Sequence, residues 1–359
     1  MDVPRPTVAP PGRLVRLGVV LDTRNPIERL LEVARMCDRA GIGALWVEDV
    51  QEAGVAGDGA ARLDAWTALV LLAGEVRRAR IGAVLDADAW PAARLARMAA
   101  TLGALTGGRL ELTLRASATG ASGAVEAFRE ALAATTVPAA LAPAAEGAVA
   151  GPAVLLAAGG PAYSAVALPA ERPTIGVQTV PPGGTGPAPG ASASEAPGGT
   201  ATPLGEVIAA ADDLVLPTAP LAATQERAAA ARQAALGAGR GPGTLGVAAR
   251  LPVSVGRTSA EAEARWQAEP AFAALGDSEQ AGLFGTLEQC HDRVVALAHA
   301  GVSDLRCLLP NAIDIHDVIA QLTAMTIGSA DKLVPGAPRT RVPEPPAGWG
   351  GRSRFPRPS

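Results

Sequence analysis

Short apolar runs and amphipathic segments alternate along most of the chain. Leu17 to Leu21 is apolar and β-branched, which predicts a buried strand. Asn25-Pro26-Ile27-Glu28 follows and predicts a helix start, with Asn25 as N-cap, Pro26 in the first turn and Glu28 completing a capping box. Ile27, Leu30, Leu31, Ala34 and Cys37 recur at helical spacing and Gly41 ends the helix, so Cys37 belongs to the expected core. The unit then repeats. Ala44 to Val47 is a second strand, Trp66, Leu69, Val70 and Ala73 mark a helix, and Ile81 to Leu85 is a third strand. Pro91 opens a helix with Leu95, Met98, Leu102 and Leu105 on one face, closed by Gly107-Gly108. Leu110 to Leu114 is the fourth strand, and a helix of weaker pattern runs near Ala124 to Ala133.

The pattern weakens from 138 to 202, where Ala, Gly, Pro and Ser dominate. Only Pro173 to Val177 reads as a strand there, and 181–199 reads as a flexible low-complexity loop. A short helix is expected over Leu204 to Ala211, a sixth strand over Asp213 to Leu216, and a long Ala-rich helix over Leu221 to Leu236. Leu245 to Val255 contains a seventh strand, read as interrupted by Pro252. Thr258 with Glu261, and Thr286 with Gln289, are capping boxes. Leu305 to Leu309 is the eighth strand, and Val318, Leu322 and Met325 mark a final helix. Eight strands alternating with helices predict an α/β fold, a (β/α)8 TIM barrel with an irregular Gly/Pro-rich insertion after the fifth strand. The expected organisation is an N-terminal arm over 1–13, one barrel over 14–330, and a Pro/Arg-rich tail over 331–359. A dinucleotide-binding doubly wound sheet is the competitor, but no G-x-G-x-x-G follows the first strand.

Composition narrows the function classes. Hydrophobic residues make up 48%, enough for a large core, while aromatics are only 3% and the net charge is −4. A nucleic-acid partner, which needs a basic face with stacking aromatics, is therefore not expected. Gly147 to Ala170 is uncharged over a membrane-like length, but Pro152, Pro161, Pro169 and Gly159-Gly160 break it, so no membrane partner is expected. Met1 to Arg16 has no apolar core of a signal peptide, and Cys37, Cys290 and Cys307 form no disulfide framework, which points to a cytoplasmic location. Lys332 is the only lysine among abundant Ala, Gly, Pro and Arg, a bias that resembles a GC-rich, actinobacterial-type genome.

Catalytic groups of such barrels stand at the C-terminal ends of strands. Those positions are Asp22, Glu48, Asp49, Asp86, Arg115, Gln178, Pro217 and Pro310. The carboxylates Asp22, Glu48, Asp49 and Asp86 are candidates for acid/base chemistry or ligand anchoring; helix capping is the competing use. His291, His299 and His316 have no metal-ligand spacing, so no metal is expected. There is no G-x-S-x-G elbow and no Walker A loop.

The order of several segments resembles the bacterial luciferase-like monooxygenases. They are Arg16 to Val20, Ala40 to Asp49, Ile81-Gly82-Ala83, Trp90 to Ala96, Thr101 to Leu110, Ala210 to Val215, Gly239-Arg240, Arg257 to Ala262 and Phe284 to Val302. The resemblance covers roughly Leu14 to Met325. It implies a barrel that binds FMN or the deazaflavin F420 at the strand C-termini, for hydride transfer or monooxygenation of a small organic substrate. It also implies a homodimer, or a heterodimer with a paralogue. On this reading Asp22, Trp46, Glu48, Asp49, Asp86 and Arg115 line the pocket, Gly176 lies in the cofactor-binding strand, and Gly198-Gly199-Thr200 offers a phosphate turn. The chain departs from the family pattern at three places. Val50 stands where a histidine is common, Leu112 to Ser117 lacks the glycines expected after the fourth strand, and Val177 leads into the long Pro/Gly loop rather than a tight turn. A catalytically silent barrel serving as partner subunit, or one repurposed for other chemistry, is the alternative.

Overall fold

A computed structural model describes residues 15–48, 62–117, 121–135, 155–156, 175–180, 213–216, 218–241, 244–273, 275, 281–310 and 315–333. The strands are β1 (Arg16–Val20), β2 (Ala44–Glu48), β3 (Arg80–Asp86), β4 (Leu110–Ser117), β5 (Leu155–Leu156), β6 (Ile175–Val180), β7 (Asp213–Leu216), β8 (Gly246–Gly256), β9 (Leu283–Thr286) and β10 (Asp304–Leu308). The helices are α1 (Ile27–Ala40), α2 (Ala65–Glu75), α3 (Ala92–Leu105), α4 (Ala121–Ala133), α5 (Leu221–Gly237), α6 (Ser259–Ala268), α7 (Pro270–Ala273), α8 (Leu287–Ala300) and α9 (Ile315–Leu333).

All strand pairings are parallel, in the order β10-β1-β2-β3-β4-β6-β7-β8. A further pairing of β10 with β8 closes these eight strands into a barrel. The expected eight strands are therefore present, and among the described residues a helix follows each of them except β6. Two short strands add to it: β5 pairs Leu155 with Glu111, and β9 extends the far end of β8.

Strand alternation sorts the side chains into two cores. Leu17, Val19, Leu45, Val47, Ile81, Leu112, Leu114 and Cys307 face outward and pack in the large layer against the helices. Val20, Ala44, Trp46, Val215 and Ala248 form a separate cluster inside the barrel. Asp38, at the end of α1, fixes the entry to β3: its carboxylate accepts the backbone N–H groups of Arg77, Arg78 and Ala79 at 3.0, 2.9 and 2.7 Å.

Several local expectations need correction. Asn25 does not cap α1; Pro26 is the N-cap residue, and the Asn25 backbone and side-chain amides both donate to the Asp22 carbonyl in the preceding turn. Pro252 does not interrupt β8. It sits where the strand changes neighbours, with 248–252 against β10 and 253–256 against β9, so its missing N–H falls at the hand-over. Leu105 and Val70 are 62% and 45% exposed, and Leu72 is the buried residue of α2 in place of Val70. The Thr286–Gln289 capping box is complete, whereas Glu261 reaches past the Thr258 cap to the Arg257 N–H. Gly41, Gly107 and Gly108 close their helices at φ of 82°, 63° and 79°. The helix expected over Leu204 to Ala211, the loop 181–199, the arm 1–13 and most of 138–202 lie outside the described residues.

Candidate functional site

The inward positions of the strands carry charge where an ordinary barrel carries aliphatic side chains. At the N-terminal end, Arg16 of β1 bridges Glu111 of β4 and Asp304 of β10, and Arg80 of β3 adds a bond to Glu111 at 3.1 Å. Burial alone raises the Glu111 carboxyl's affinity for a proton, but Arg16 and Arg80 outweigh it and hold Glu111 below the usual carboxylate range.

One layer higher, Trp46 fills the barrel interior. A Cβ on Gly82 would lie 2.4 Å from the indole and one on Gly18 would lie 3.1 Å from it, so these two glycines make the space for the ring. The Arg306 guanidinium stacks on the other side, 3.5 Å from the ring centroid, and its Nη2 donates to Thr113 Oγ1 at 2.9 Å. Both Trp46 and Arg306 are fully buried.

The C-terminal rim opens into a cleft of about 120 Å³. Val20, Leu308, Leu309, Phe272 and Leu275 give it apolar walls, and Asp22, Arg24, Glu48, Arg62, Arg250 and Glu269 give it a charged edge. Glu48 ends β2, and Arg250 of β8 reaches across to it through Nε at 3.0 Å and Nη2 at 2.8 Å, while Arg250 Nη1 donates to Thr218 at 3.1 Å. Asp22 is clasped by Arg24 at 2.6 Å, and the Arg24 backbone N–H donates to the same carboxylate at 2.9 Å. Asp86 lies 3.9 Å from Arg115 on the neighbouring strand. Asp22, Glu48 and Asp86 thus each pair with an arginine. The N-cap residues of α1, α2, α3, α5, α6 and α8 are Pro26, Asp64, Pro91, Pro220, Thr258 and Thr286, none of them a rim carboxylate.

The sequence-derived residues therefore fall into four groups. Asp22 and Glu48 come together in the cleft, and Asp86 with Arg115 forms a separate pair at the end of β3 and β4. Trp46 lies beneath the cleft inside the barrel, and Gly176 sits early in β6, in register with Thr113 and Asp213 and away from the rim. Asp49, Gly198, Gly199 and Thr200 lie outside the described residues. Arg250, Arg306, Glu111 and Arg16 were missed. Their signal was available: each is a charged residue inside an apolar strand, in phase with the inward positions.

A planar conjugated ring with one polar edge matches the chemistry of the cleft. Leu308 and Phe272 offer the apolar surface and the Glu48–Arg250 pair the polar edge. Arg62, an exposed residue of the cleft lining, makes no ion pair among the described residues. The described cavity is smaller than the ~300 Å³ or more of a typical cofactor pocket, so it can enclose part of such a ring. Among the described residues no cluster of His, Cys, Asp and Glu could hold a metal ion, and no helix is long and apolar enough to cross a membrane.

Residues 14–136 match the luciferase-like monooxygenase family. No curated protein is similar to the chain in sequence. Among solved structures, an F420-dependent secondary alcohol dehydrogenase in complex with an F420-acetone adduct superposes at a TM-score of 0.60 with 13% identity, covering 88% of this chain and 99% of the other. The EDTA monooxygenase of Chelativorans sp. BNC1 gives 0.58 with 14% identity over 91% and 96%. The coenzyme F420-dependent tetrahydromethanopterin reductase of Methanopyrus kandleri gives 0.54 with 14% identity over 86% and 97%. At these identities the likeness is one of fold.

Proposed function

We propose that this luciferase-like chain, a family member by the sequence of residues 14–136 and by its barrel, is an oxidoreductase that uses F420 or FMN in the cleft at the C-terminal rim. The observation that carries the reading is the cleft itself: a half-apolar slot at the end of the barrel where such folds place their chemistry, with a buried ion pair as its edge. When bound, the cofactor would supply hydride transfer or oxygen activation for a small organic substrate. Arg250, fixed by Glu48 and Thr218, orients polar groups of a bound ring and keeps the floor rigid. Leu308, Leu309 and Phe272 exclude water from its face. Asp22, held by Arg24, lines the same slot.

Fluorescence titration of the full chain with FMN and with F420 tests this. Saturable binding of one of them, weakened at least ~10-fold by Arg250→Met through loss of a buried charge-assisted contact, is the expected outcome. Absence of binding by either cofactor would overturn it.

One observation favours a second reading. Because Asp22, Glu48 and Asp86 are each paired with arginine, none of these three carboxylates is set apart as an acid or base. A catalytically silent barrel that assists an active paralogue fits that arrangement. Turnover of any substrate by the isolated chain removes this reading.

A further inference from the structure

Of the arginines at inward strand positions, one differs from the rest. Arg16, Arg80, Arg115 and Arg250 each pair with a carboxylate, whereas Arg306 makes no ion pair among the described residues. Arg306 is 0% exposed, yet its Nε and Nη1 have no hydrogen-bond partner. A fully buried guanidinium with unused donors is costly, and so is a buried carboxylate oxygen without a donor.

The missing partners are complementary. Asp213 Oδ1 and Asp304 Oδ1 are also buried and unpartnered, and both carboxylates interact electrostatically with Arg306 without touching it. Asp304 is two residues before Arg306 on β10, which places both on the inward face about 7 Å apart along the strand. Asp213 begins β7 between two in-register glycines, Gly176 of β6 and Gly246 of β8, so neither neighbouring strand covers its carboxyl with a side chain. Beyond Gly176 lies Thr113, the residue that Arg306 does bond. Asp213, Asp304 and Arg306 are thus buried inside the barrel and electrostatically coupled, with no direct hydrogen bond between the aspartates and Arg306.

We propose that Arg306, Asp213 and Asp304 form an internal hydration site beneath the cleft, occupied by at least two ordered waters, one accepting from Arg306 Nε and another from Nη1, which between them donate to Asp213 Oδ1 and Asp304 Oδ1. Water fits because the site offers both donors and acceptors, and a buried water typically makes about three hydrogen bonds. A halide would satisfy Arg306 but would face two carboxyl groups. A dry site would leave every one of these atoms unsatisfied.

A high-resolution crystal structure of the full chain, with a second crystal soaked in sodium bromide, tests the assignment without any variant. Expected is a water oxygen within hydrogen-bond distance of Arg306 and of at least one of the two Asp Oδ1 atoms, with no anomalous bromide peak there. A bromide peak at Arg306, or the absence of any density among the three side chains, overturns it. In solution, ¹⁷O magnetic relaxation dispersion should detect a long-lived internal water that survives Asp213→Asn, which keeps the acceptor, and is lost in Arg306→Met. If Arg306→Met does not fold, Asp213→Leu takes its place, with the same loss expected. An unchanged dispersion amplitude in a folded variant lacking the donor or acceptor also overturns the assignment.

Discussion

Glu48 and Arg250 join opposite parts of the barrel, β2 to β8, through a bidentate pair 2.8–3.0 Å long that is only about a tenth exposed. Their separation in sequence is 202 residues, so the pair exists only once the sheet has closed. It makes the rim of the candidate cleft a product of closure rather than of any one segment.

Breaking that pair from one side leaves a charge in a nearly dry place. Glu48→Met or Arg250→Met alone should each lower the unfolding free energy by about 3 kcal/mol, the lower end for a broken buried pair. Replacing both residues by methionine should recover most of the loss. Urea unfolding of the two single variants and the double variant measures the coupling; additive losses would show that the pair contributes nothing beyond its parts.

Gly82 should tolerate no side chain while Trp46 is present. Gly82→Ala places a Cβ 2.4 Å from the indole and should cost about 1–3 kcal/mol through forced displacement of the ring. The same change in a Trp46→Leu background should cost much less. Thermal unfolding of the cycle distinguishes steric conflict from a backbone effect of the glycine, which would persist in both backgrounds.

Asp213 should make stability fall as pH rises. Burial, with the nearby Asp304 and Glu111, pushes its carboxyl well above 3.8, although Arg16 and Arg306 pull the other way. The folded chain therefore keeps a proton that the unfolded chain has released, so Asp213 loses stability from pH 3.8 upward until its folded-state titration. Asp213→Asn has no such proton to lose. Its stability relative to the parent should increase across that window, and a pH-independent difference in urea unfolding would refute the assignment.

The three thiols should be silent in the native state. Burial pushes Cys37 and Cys290 up to about 12 and Cys307 higher still, and all three are buried and free. Ellman's reagent at neutral pH should react with none of them until denaturant is added. Rapid modification of any one in the folded chain would place it at an accessible surface.

The barrel was legible from sequence because strand and helix periodicities are local. Leu30, Ala34 and Cys37 announce the buried face of α1, and the Thr286–Gln289 box announces the start of α8, through bonds only a few residues long. The strand ends Asp22, Glu48 and Asp86 followed from the same pattern. Their partners did not. Arg250 for Glu48, Arg306 for Trp46, and Arg16 for Glu111 and Asp304 lie 95 to 288 residues away or on strands that meet only in the closed sheet. The sequence by itself determined the order of strands and helices and, to within a few residues, where the strands end. Closure alone decided that the inward charges pair across the barrel and that Trp46 is enclosed rather than exposed at the rim. A charge in an apolar strand signals an inward position, but the identity of its counter-charge depends on the register of non-neighbouring strands.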